Sequence, residues 1–491
     1  MEEKEFNITP YFFSHKGDNV EEYKKLLIKS LEDYVEWRKE YHNEDFKLLK
    51  GYDENSEGYK EGLKRLETCY DEMLNRLHKS IPFHSPRYLG HMMSENFMPS
   101  VLANFATLLY NLNNVCYEGS PVTVEMEYEI AKDFAKMIGY DTDLSWGHLT
   151  GGGTVANIEA LWVVRNMKYF PLIAQNLAKT FRKDFDVVQP NGQVKKLTKL
   201  SQYELLTLTP DAIKTLLKDF FELDWGRNIN QDIYINSHNI SHVGMHNYYN
   251  GKIFVPASKH YSWDKAAEIL GFGRKNIVLV EVDENFRMNT DDLKEKLIKS
   301  VKHNEPIVAV VGVMGTTEAS SVDSIDKIQE IKTYLEKEYN VSFFLHIDAA
   351  YGGYAKSLFL DKNNSIKSYE KVREFVGCDW PSKDIYNAYC SMHYADSVTV
   401  DPHKLGYLPF GSGAVIYKNK ITKPATISHA PYISSSTNPE NEDLFFGEYI
   451  LEGSKSGAAA AACWLANKVI PLNDFGYGKL LKNEIIDSRM I

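Results

Sequence analysis

From about residue 145 onward, short apolar runs alternate with longer amphipathic stretches. The runs that have the length and composition of β-strands are Ile253–Pro256, Ile277–Val280, Ile307–Val313, Ser342–Ile347, Ser397–Val400 and Gly413–Tyr417. Between them, helices are predicted over stretches such as Trp263–Leu270 and Asp323–Glu338. Apolar strands that alternate with helices are typical of a sheet covered on both faces. The sequence therefore predicts an α/β domain around a largely parallel sheet.

The first part of the chain has a different pattern. Residues 1 to about 80 are charged and show helical periodicity over Val20–Tyr41 and Tyr59–Leu77. A further helix is predicted over Glu125–Ile138, because its apolar residues fall on one face. Residues 180–250 are polar and rich in Asn, Gln, Lys and His. We interpret that stretch as an insertion or a mobile surface region.

Charge and composition argue against several classes of function. The net charge of −11 disfavours non-specific binding to nucleic acid, whose phosphates need a basic surface. No apolar run reaches the length of a membrane span, and the first residues lack the pattern of a secretory signal. The five cysteines are scattered, and no pair has metal or redox spacing. We expect a cytoplasmic protein with reduced thiols, no metal, and no nucleic-acid or membrane partner.

A lysine follows one predicted strand at the point where that strand must end. The stretch Ser397–Lys404 reads SVTVDPHK, and Pro402 cannot donate to a sheet ladder. Ligands bind α/β proteins beyond the carboxyl ends of their strands. An amine held there can act as a nucleophile and form a Schiff base, although most lysines are simply solvated.

A carboxylate occupies a similar place after another strand. Asp348 follows the apolar run Phe343–Leu345. A carboxylate in apolar surroundings is costly unless it has a partner, and a protonated ring nitrogen would be such a partner. Ala350 is small enough to lie flat against a ring. Asp348 could equally cap a helix or close a turn, so this motif alone leaves both interpretations open.

Two further motifs add to the picture. Thr150–Asn157 reads TGGGTVAN and precedes an apolar helix, so Gly153 and Thr154 stand where backbone N–H groups would meet a phosphate. No Gly-Lys-Ser/Thr follows, so this is not a Walker loop. His260 follows a strand and precedes a helix, where its ring could stack on a cofactor. Taken singly, a flexible turn and a polar loop histidine are the commoner interpretations.

Together, the four motifs supply each part that pyridoxal 5′-phosphate (PLP) needs: a phosphate cradle, a stacking histidine, a partner for the pyridine nitrogen and a Schiff-base lysine. Their order resembles that of the group II PLP-dependent amino-acid decarboxylases, from about residue 80 to 480. The chain looks closest to the bacterial tyrosine decarboxylases, in stretches such as Lys259–Ala267 and Tyr449–Ala458. The resemblance implies PLP-dependent transferase fold type I, which is aspartate-aminotransferase-like. That fold has a mostly parallel seven-stranded sheet flanked by helices, here with an N-terminal helical segment, and it usually forms a homodimer.

The resemblance also implies roles for individual residues. Lys404 would bond covalently to the cofactor, Asp348 would bind the pyridine nitrogen and His260 would stack on the ring. The other cofactor-binding residues that it implies are Gly153, Thr154, Thr316, Ala350 and His403.

In this family a mobile loop carries the catalytic acid, and the matching loop here is about Thr426–Asp443. Tyr432 is the candidate that protonates the carbanion left when carbon dioxide departs, and His429 is the runner-up. Tyr88 and His91 match a segment that lines the substrate pocket in the family. The reaction implied is decarboxylation of an L-amino acid, with tyrosine to tyramine favoured.

The C-terminal end departs from the family pattern. Bacterial members continue well past the stretch matched by Gly476–Leu480, whereas this sequence ends at Ile491. We therefore expect an N-terminal helical segment over 1–95, a large PLP-binding domain over 96–475 and the truncated start of a small domain over 476–491. Three alternatives stay open: another substrate (DOPA, phenylalanine, glutamate or aspartate), an aldehyde synthase, and a cofactor-binding subunit without activity.

Overall fold

The computed structural model describes residues 7–42, 44–45, 54–85, 87–88, 90, 92–223, 240–245, 248–428 and 444–488. Its strands are β1 (Trp146–Thr150), β2 (Asp186–Val188), β3 (Val194–Lys196), β4 (Lys252–Pro256), β5 (Ile277–Val280), β6 (Ile307–Val313), β7 (Phe344–Ala349), β8 (Ser397–Val400) and β9 (Gly413–Tyr417). Seven of them form one sheet in the order β1-β9-β8-β7-β6-β4-β5. Within it only β9 runs antiparallel to its neighbours, β1 and β8. The predicted mostly parallel, seven-stranded sheet is confirmed.

The central strands are buried on both faces. Every residue of β6, β7 and β8 is buried. Successive side chains of a strand point to opposite faces, so the residues of β6 divide between two cores. Val310 belongs to one core cluster, and Ala309 and Val311 on either side of it belong to the other. Burial on both faces explains why β6 reads as a continuous apolar run.

Helices surround this sheet. They are α1 (Val20–Tyr41), α2 (Glu57–Leu77), α3 (Met98–Leu108), α4 (Pro121–Ile138), α5 (Gly153–Phe181), α6 (Gln202–Leu205), α7 (Pro210–Glu222), α8 (Ile240–Val243), α9 (Ser262–Ile269), α10 (Thr290–Lys302), α11 (Ile325–Tyr339), α12 (Tyr369–Val376), α13 (Lys383–Cys390), α14 (Gly457–Val469) and α15 (Tyr477–Ser488). The 29-residue α5 is buried along most of its length and starts at the glycine triplet. Among the described helices, none is long and apolar enough to cross a membrane.

Two strands of the seven-stranded sheet differ from the prediction by more than one residue. β1 was not predicted, because its sequence WGHLT is short and mixes polar with apolar residues. It is nevertheless fully buried and pairs with β9 over five residues. β7 begins and ends two residues later than predicted, so Asp348 lies inside the strand rather than after it. Ser342 instead donates its backbone N–H to the carbonyl of Thr207.

The interpretation of residues 180–250 as a mobile surface region is wrong for much of the described part. β2 and β3 form a hairpin, and α7 packs against α5. Ile213, Leu216, Leu217 and Phe220 of α7 are buried in the core. Their spacing is that of an apolar helix face, which the surrounding lysines and acidic residues obscured. Residues 224–239 lie outside the described part of the chain.

The C-terminal helix α15 lies against the large domain in the described structure. The ring of Tyr477 contacts that of Tyr354 with 4.8 Å between centroids, and its hydroxyl donates to the carbonyl of Gly406 at 2.9 Å. The boundaries at 95 and 475 stay a prediction.

Candidate active site

The carboxyl ends of the central strands and the loop after β1 surround a cavity of about 440 Å³. Its lining includes each residue that the sequence analysis proposed for cofactor binding: Gly153, Thr154, His260, Thr316, Asp348, Ala350, His403 and Lys404. These residues come from five separate connections of the fold. The sheet brings them together because its parallel strands all end at the same edge.

Lys404 stands in a tight turn just beyond β8. Its backbone N–H donates to the carbonyl of Asp401 at 3.0 Å, and the N–H of His403 donates to the carbonyl of Ser412 at 3.1 Å. The side chain of Lys404 is 22% exposed, and its Nζ lies 3.0 Å from Oδ2 of Asp401. The antiparallel strand β9 begins at Gly413, so the turn is held by strands on both sides. The lysine amine is therefore directed into the cavity from a short, fixed connection.

Asp348 near the end of β7 is buried and fixed by three donors. Its Oδ2 accepts from Nδ2 of Asn157 at 2.8 Å and from Nε1 of Trp263 at 3.0 Å. Its Oδ1 accepts from the backbone N–H of Ala350 at a longer 3.3 Å. Donors of this kind fix the direction of the carboxyl group. Oδ1 retains the capacity to accept a further N–H from a ligand.

His260 lines the cavity from the connection between β4 and α9. Its Nδ1 is 2.9 Å from Oγ of Ser262, which in turn accepts from Nδ2 of Asn157 at 3.0 Å. Burial lowers the pKa of His260, and Lys404 lowers it further, while the carboxylates of Asp348 and Asp401 raise it. The net direction favours the neutral imidazole, which can stack on a flat ring.

The glycine triplet leads from β1 into the N-terminus of α5. Gly152 has a φ of 151°, a conformation that L side chains rarely adopt. A Cβ added to Gly153 would lie 2.6 Å from Oδ2 of Asp401, so a larger residue there would displace that carboxyl group. Free backbone N–H groups at the start of a long helix form an anion site. Thr154 and His403 line the same end of the cavity.

Thr316 lies in the turn after β6, and its Oγ1 accepts from the backbone N–H of Ser321 at 3.0 Å. Gly315 beside it has a φ of 92°, and an added Cβ would lie 2.9 Å from the backbone nitrogen of Gly352. This close approach packs the turn after β6 against the turn after β7. Thr316 and Ala350 are thereby placed on neighbouring walls of the cavity.

Three polar atoms of this site are buried and have no hydrogen-bond partner in the described structure. They are Oδ1 of Asn157, Oγ of Ser258 and Oδ1 of Asp401, and all three residues line the cavity. Buried polar atoms are normally paired, so unpaired atoms around one cavity indicate a polar ligand. An anion site, a free carboxylate oxygen, a lysine and these atoms in one cavity fit PLP, with its phosphate, ring nitrogen and aldehyde.

Of the other predicted site residues, only Tyr88 lies in the described part of the chain. Tyr88 does not line the cavity in the described chain; its ring meets that of Phe83 edge-on, with 5.1 Å between centroids. His91 and Tyr432 lie outside the described residues, as does His429. Met92 and Met93, which follow His91 in sequence, do line the cavity. The roles predicted for Tyr88, His91 and Tyr432 stay predictions.

Several residues of the site were not identified from the sequence. Asn157, Trp263 and Asp401 stand inside the motifs that were singled out, but nothing in their spacing shows what they contact. Tyr261, Tyr351 and Phe410 form an aromatic part of the lining. Tyr261 and Tyr351 each directly follow a residue predicted for cofactor binding, which is the one signal that could have identified them.

Comparison with known proteins gives the family. The model of the pyridoxal-dependent decarboxylase conserved domain matches residues 238–364. The chain is also 37% identical over 489 residues to the L-tyrosine decarboxylase of Levilactobacillus brevis, which covers 97% of this chain and 73% of that protein. This chain belongs to the pyridoxal-dependent decarboxylases. The L-tyrosine decarboxylase of Enterococcus faecalis is 36% identical, over 97% of this chain and 74% of its own length.

Solved structures agree on the fold of this decarboxylase. Mouse CSAD has a TM-score of 0.57 and 18% identity, covering 96% of this chain and 77% of that chain. Catharanthus roseus tryptophan decarboxylase in complex with L-tryptophan has a TM-score of 0.54 and 12% identity, covering 96% and 79%. At such low identity the likeness concerns the fold alone, which is fold type I as predicted. Family membership makes the chain a PLP-dependent amino-acid decarboxylase.

Proposed function

We propose that this decarboxylase converts L-tyrosine to tyramine and carbon dioxide. The observation that carries the proposal is the chemistry of the cavity lining. Met92, Met93, Tyr261, Tyr351 and Phe410 give it an apolar and aromatic side. An aromatic substrate side chain packs favourably against such rings. The three relatives named L-tyrosine decarboxylase, at 35–37% identity over nearly the whole chain, point the same way.

An acidic substrate fits this lining less well. A distal carboxylate is normally bound by Arg or Lys. Among the described lining residues the only such side chain is Lys404, which we assign to the cofactor. Aspartate is nevertheless the competitor to exclude, because a protein named aspartate 1-decarboxylase in Aliivibrio fischeri is 28% identical over 396 residues.

The proposed roles follow from the positions of the side chains. Lys404 would hold the cofactor covalently through its Nζ. Asp348, fixed by Asn157 and Trp263, keeps a proton on the pyridine nitrogen. When bound, PLP supplies the electron sink for the electron pair of the breaking Cα–carboxylate bond. His260 and Ala350, which both line the cavity, would hold the ring in place.

The remaining assignments concern the phosphate and the proton. Gly153, Thr154 and His403 bind the phosphate at the N-terminus of α5, and Thr316 borders the ring. Tyr432 donates the proton to Cα after carbon dioxide leaves. Tyr88 and His91 belong to the substrate pocket on this proposal, and Met92, which directly follows His91, lines the described cavity.

We also propose that the enzyme is a homodimer in the cytoplasm. The support for a dimer is the apolar stripe of α2 formed by Leu63, Leu66, Tyr70, Met73 and Leu77, which are 44–64% exposed in the single chain. A stripe of this kind on a stable protein is normally covered by a partner. The cytoplasm suits the five cysteines, all of which carry free thiols.

A product assay tests the substrate. The purified chain is incubated with PLP and the twenty amino acids plus DOPA, and amines are identified by mass spectrometry. Tyramine as the main product is the expected result, and the Lys404→Ala variant is the matched control. β-Alanine, formed from aspartate, or any other amine as the main product would replace tyrosine as the substrate. A chain that binds PLP yet yields no amine would contradict the proposed activity.

A further inference from the structure

Asp401 stands three residues before Lys404, and neither the motif nor the family comparison gives it a role. Its carboxyl group is almost fully buried, and its Oδ2 lies 3.0 Å from Nζ of Lys404. Its Oδ1 is buried and has no hydrogen-bond partner in the described structure. A carboxylate that keeps one oxygen free beside a reactive amine is placed for proton transfer.

The groups that face Asp401 come from several elements. Nε2 of His403 in the same turn lies 3.7 Å from Oδ2, and Gly153 at the start of α5 packs directly against the carboxyl group. Asp348 of β7 and His260 before α9 also interact with it electrostatically. Burial raises the pKa of Asp401, while Lys404 and His403 lower it and Asp348 raises it, so the net shift is upward. Asp401 is therefore a stronger base than an exposed aspartate.

Covalent attachment of PLP needs a proton acceptor and then a proton donor. A protonated lysine has no lone pair, so Nζ must lose a proton before it can bond to the aldehyde carbon. The aldehyde oxygen must later leave as water, and for that it needs a proton. Among the described residues, Asp401 has the carboxyl group within hydrogen-bond distance of Nζ.

We propose that Asp401 is the acid–base catalyst that attaches the cofactor to Lys404. Asp401 takes one proton from Nζ, and the nitrogen lone pair forms a C–N bond to the aldehyde carbon. The carbonyl electron pair moves to oxygen, which receives a second proton from the same nitrogen. Asp401 then returns its proton to the resulting hydroxyl group, which leaves as water while the nitrogen lone pair completes the C=N bond. The positive charge stays on nitrogen, and nothing is oxidised or reduced.

Attachment of PLP to Lys404 is measured by mixing cofactor-free protein with PLP and recording the absorbance by stopped flow. Binding gives a phase whose rate depends on PLP concentration, and attachment gives a later first-order phase. Borohydride reduction and mass spectrometry verify that the bond forms at Lys404. In the Asp401→Asn variant we expect attachment to slow about 100-fold, the usual contribution of one acid–base group, with the binding phase retained. Its rate should rise about tenfold per pH unit, because only solvent can then deprotonate the amine.

The Asp474→Asn variant is the matched control. It removes a carboxylate that pairs with the largely buried Lys367 at 2.8 Å but does not line the cavity, and it should attach PLP at the wild-type rate. An Asp401→Asn protein that attaches PLP as fast as the wild type would overturn the proposal. So would a variant that is slowed only in the binding phase, since Asp401 would then merely shape the phosphate site.

A second measurement needs no variant and covers the case in which Asp401→Asn fails to fold. Attachment in the wild-type protein should follow the ionised fraction of one carboxyl group, so it slows at acidic pH and levels off above the pKa of that group. A wild-type rate that instead climbs tenfold per pH unit from pH 5 to 9 would exclude Asp401 as the base. These experiments detect no amine product, so their outcome is independent of the substrate proposal.

Discussion

The central sheet and helix α2 bury their apolar residues to very different extents. Every residue of β6, β7 and β8 is buried, and helices from the same chain supply the covering layers. In α2 the apolar residues recur at helical spacing, yet Leu66 is 64% and Leu77 is 55% exposed. The sheet is therefore covered by the chain's own helices, whereas the described part of the chain leaves an apolar face of α2 exposed.

The difference shows what an apolar pattern can and cannot specify. Periodicity identifies an element and the face that it buries, but it doesn't identify what covers that face. For strands buried on both sides the covering elements are the chain's own helices. For α2 we propose that the covering surface belongs to a second copy. Variants at the sheet edge should therefore lose catalytic activity. Variants of α2 should instead lose the ability to form the dimer.

The largest effect is expected for Lys404→Ala at the sheet edge. The variant should lose covalent attachment of PLP and all measurable decarboxylation, because no other lysine lines the described cavity. Borohydride reduction followed by mass spectrometry measures the attachment. Cofactor still fixed to the variant chain after reduction would show that Lys404 is not the attachment site.

Asp348→Asn is expected to lower turnover by about 100- to 1000-fold while PLP is partly retained. An amide cannot stabilise the protonated pyridine nitrogen as a carboxylate does, and losing one such electrostatic contact typically has an effect of this size. Turnover and cofactor content, measured on the same sample, separate the two effects. Near-normal turnover would rule out the proposed pairing with the ring nitrogen.

Tyr432→Phe should slow amine formation by about 100-fold and increase side products such as the aldehyde of oxidative deamination. The phenyl ring keeps the shape of the side chain but cannot donate a proton to Cα. Product ratios from chromatography are the measurement, and His429→Gln is the parallel variant. If Tyr432→Phe changes neither rate nor products while His429→Gln does, the histidine is the acid.

Acid should destabilise the sheet region through His346. Burial lowers the pKa of His346 to about 4, from about 6.5 in an unfolded chain. A lowered folded pKa means that the stability is fully present above pH 6.5 and is lost as the pH falls toward 4, by about 3 kcal/mol. Urea unfolding at pH 7 and pH 4.5 should show a smaller loss for His346→Gln than for the wild type. Equal losses in the free energy of unfolding would mean that groups other than His346 cause the destabilisation at acidic pH.

The smallest effect on the single chain is expected for Leu66→Glu combined with Tyr70→Glu. Both positions are exposed, so the chain should fold with its own stability changed by about 0.5 kcal/mol or less. The molar mass from light scattering should fall from that of a dimer to that of one chain. A dimer that survives both charges would place the contact elsewhere, and Lys60→Glu on the same helix is a charge-changing control.

Burial decided how much of the fold could be predicted from the sequence. β6 and β9 were predicted with their observed bounds, because strands enclosed on both faces read as uninterrupted apolar runs. β1 was missed because His148 and Thr150 are polar. His148 is buried only because Glu159 meets its Nε2 at 2.6 Å, a contact 11 residues away that no local pattern contains.

The residues of the site could be predicted from the sequence only in part, for the same reason. The sequence motifs identified residues that one cavity collects, because each motif follows a strand of the same sheet. Trp263 and Asn157 carry no signal of their own, since they meet at Asp348 only through the packing of α5 and α9 against β7. For Asp401 the sequence shows adjacency to Lys404, but only the structure shows the 3.0 Å approach and the unpaired second oxygen.

The antiparallel strand β9 has a consequence for how the protein is made. In the sheet it lies between β1 and β8 and ends at Tyr417. It therefore connects, by hydrogen bonds on its two sides, the strand that precedes the glycine triplet and the strand that precedes the lysine turn. During synthesis β1 emerges from the ribosome long before β9, and contacts so distant in sequence form late. A nascent chain that has not yet reached β9 holds both halves of the cofactor site but cannot bring them together. The yellow colour of bound PLP would thus report that a growing chain has passed β9.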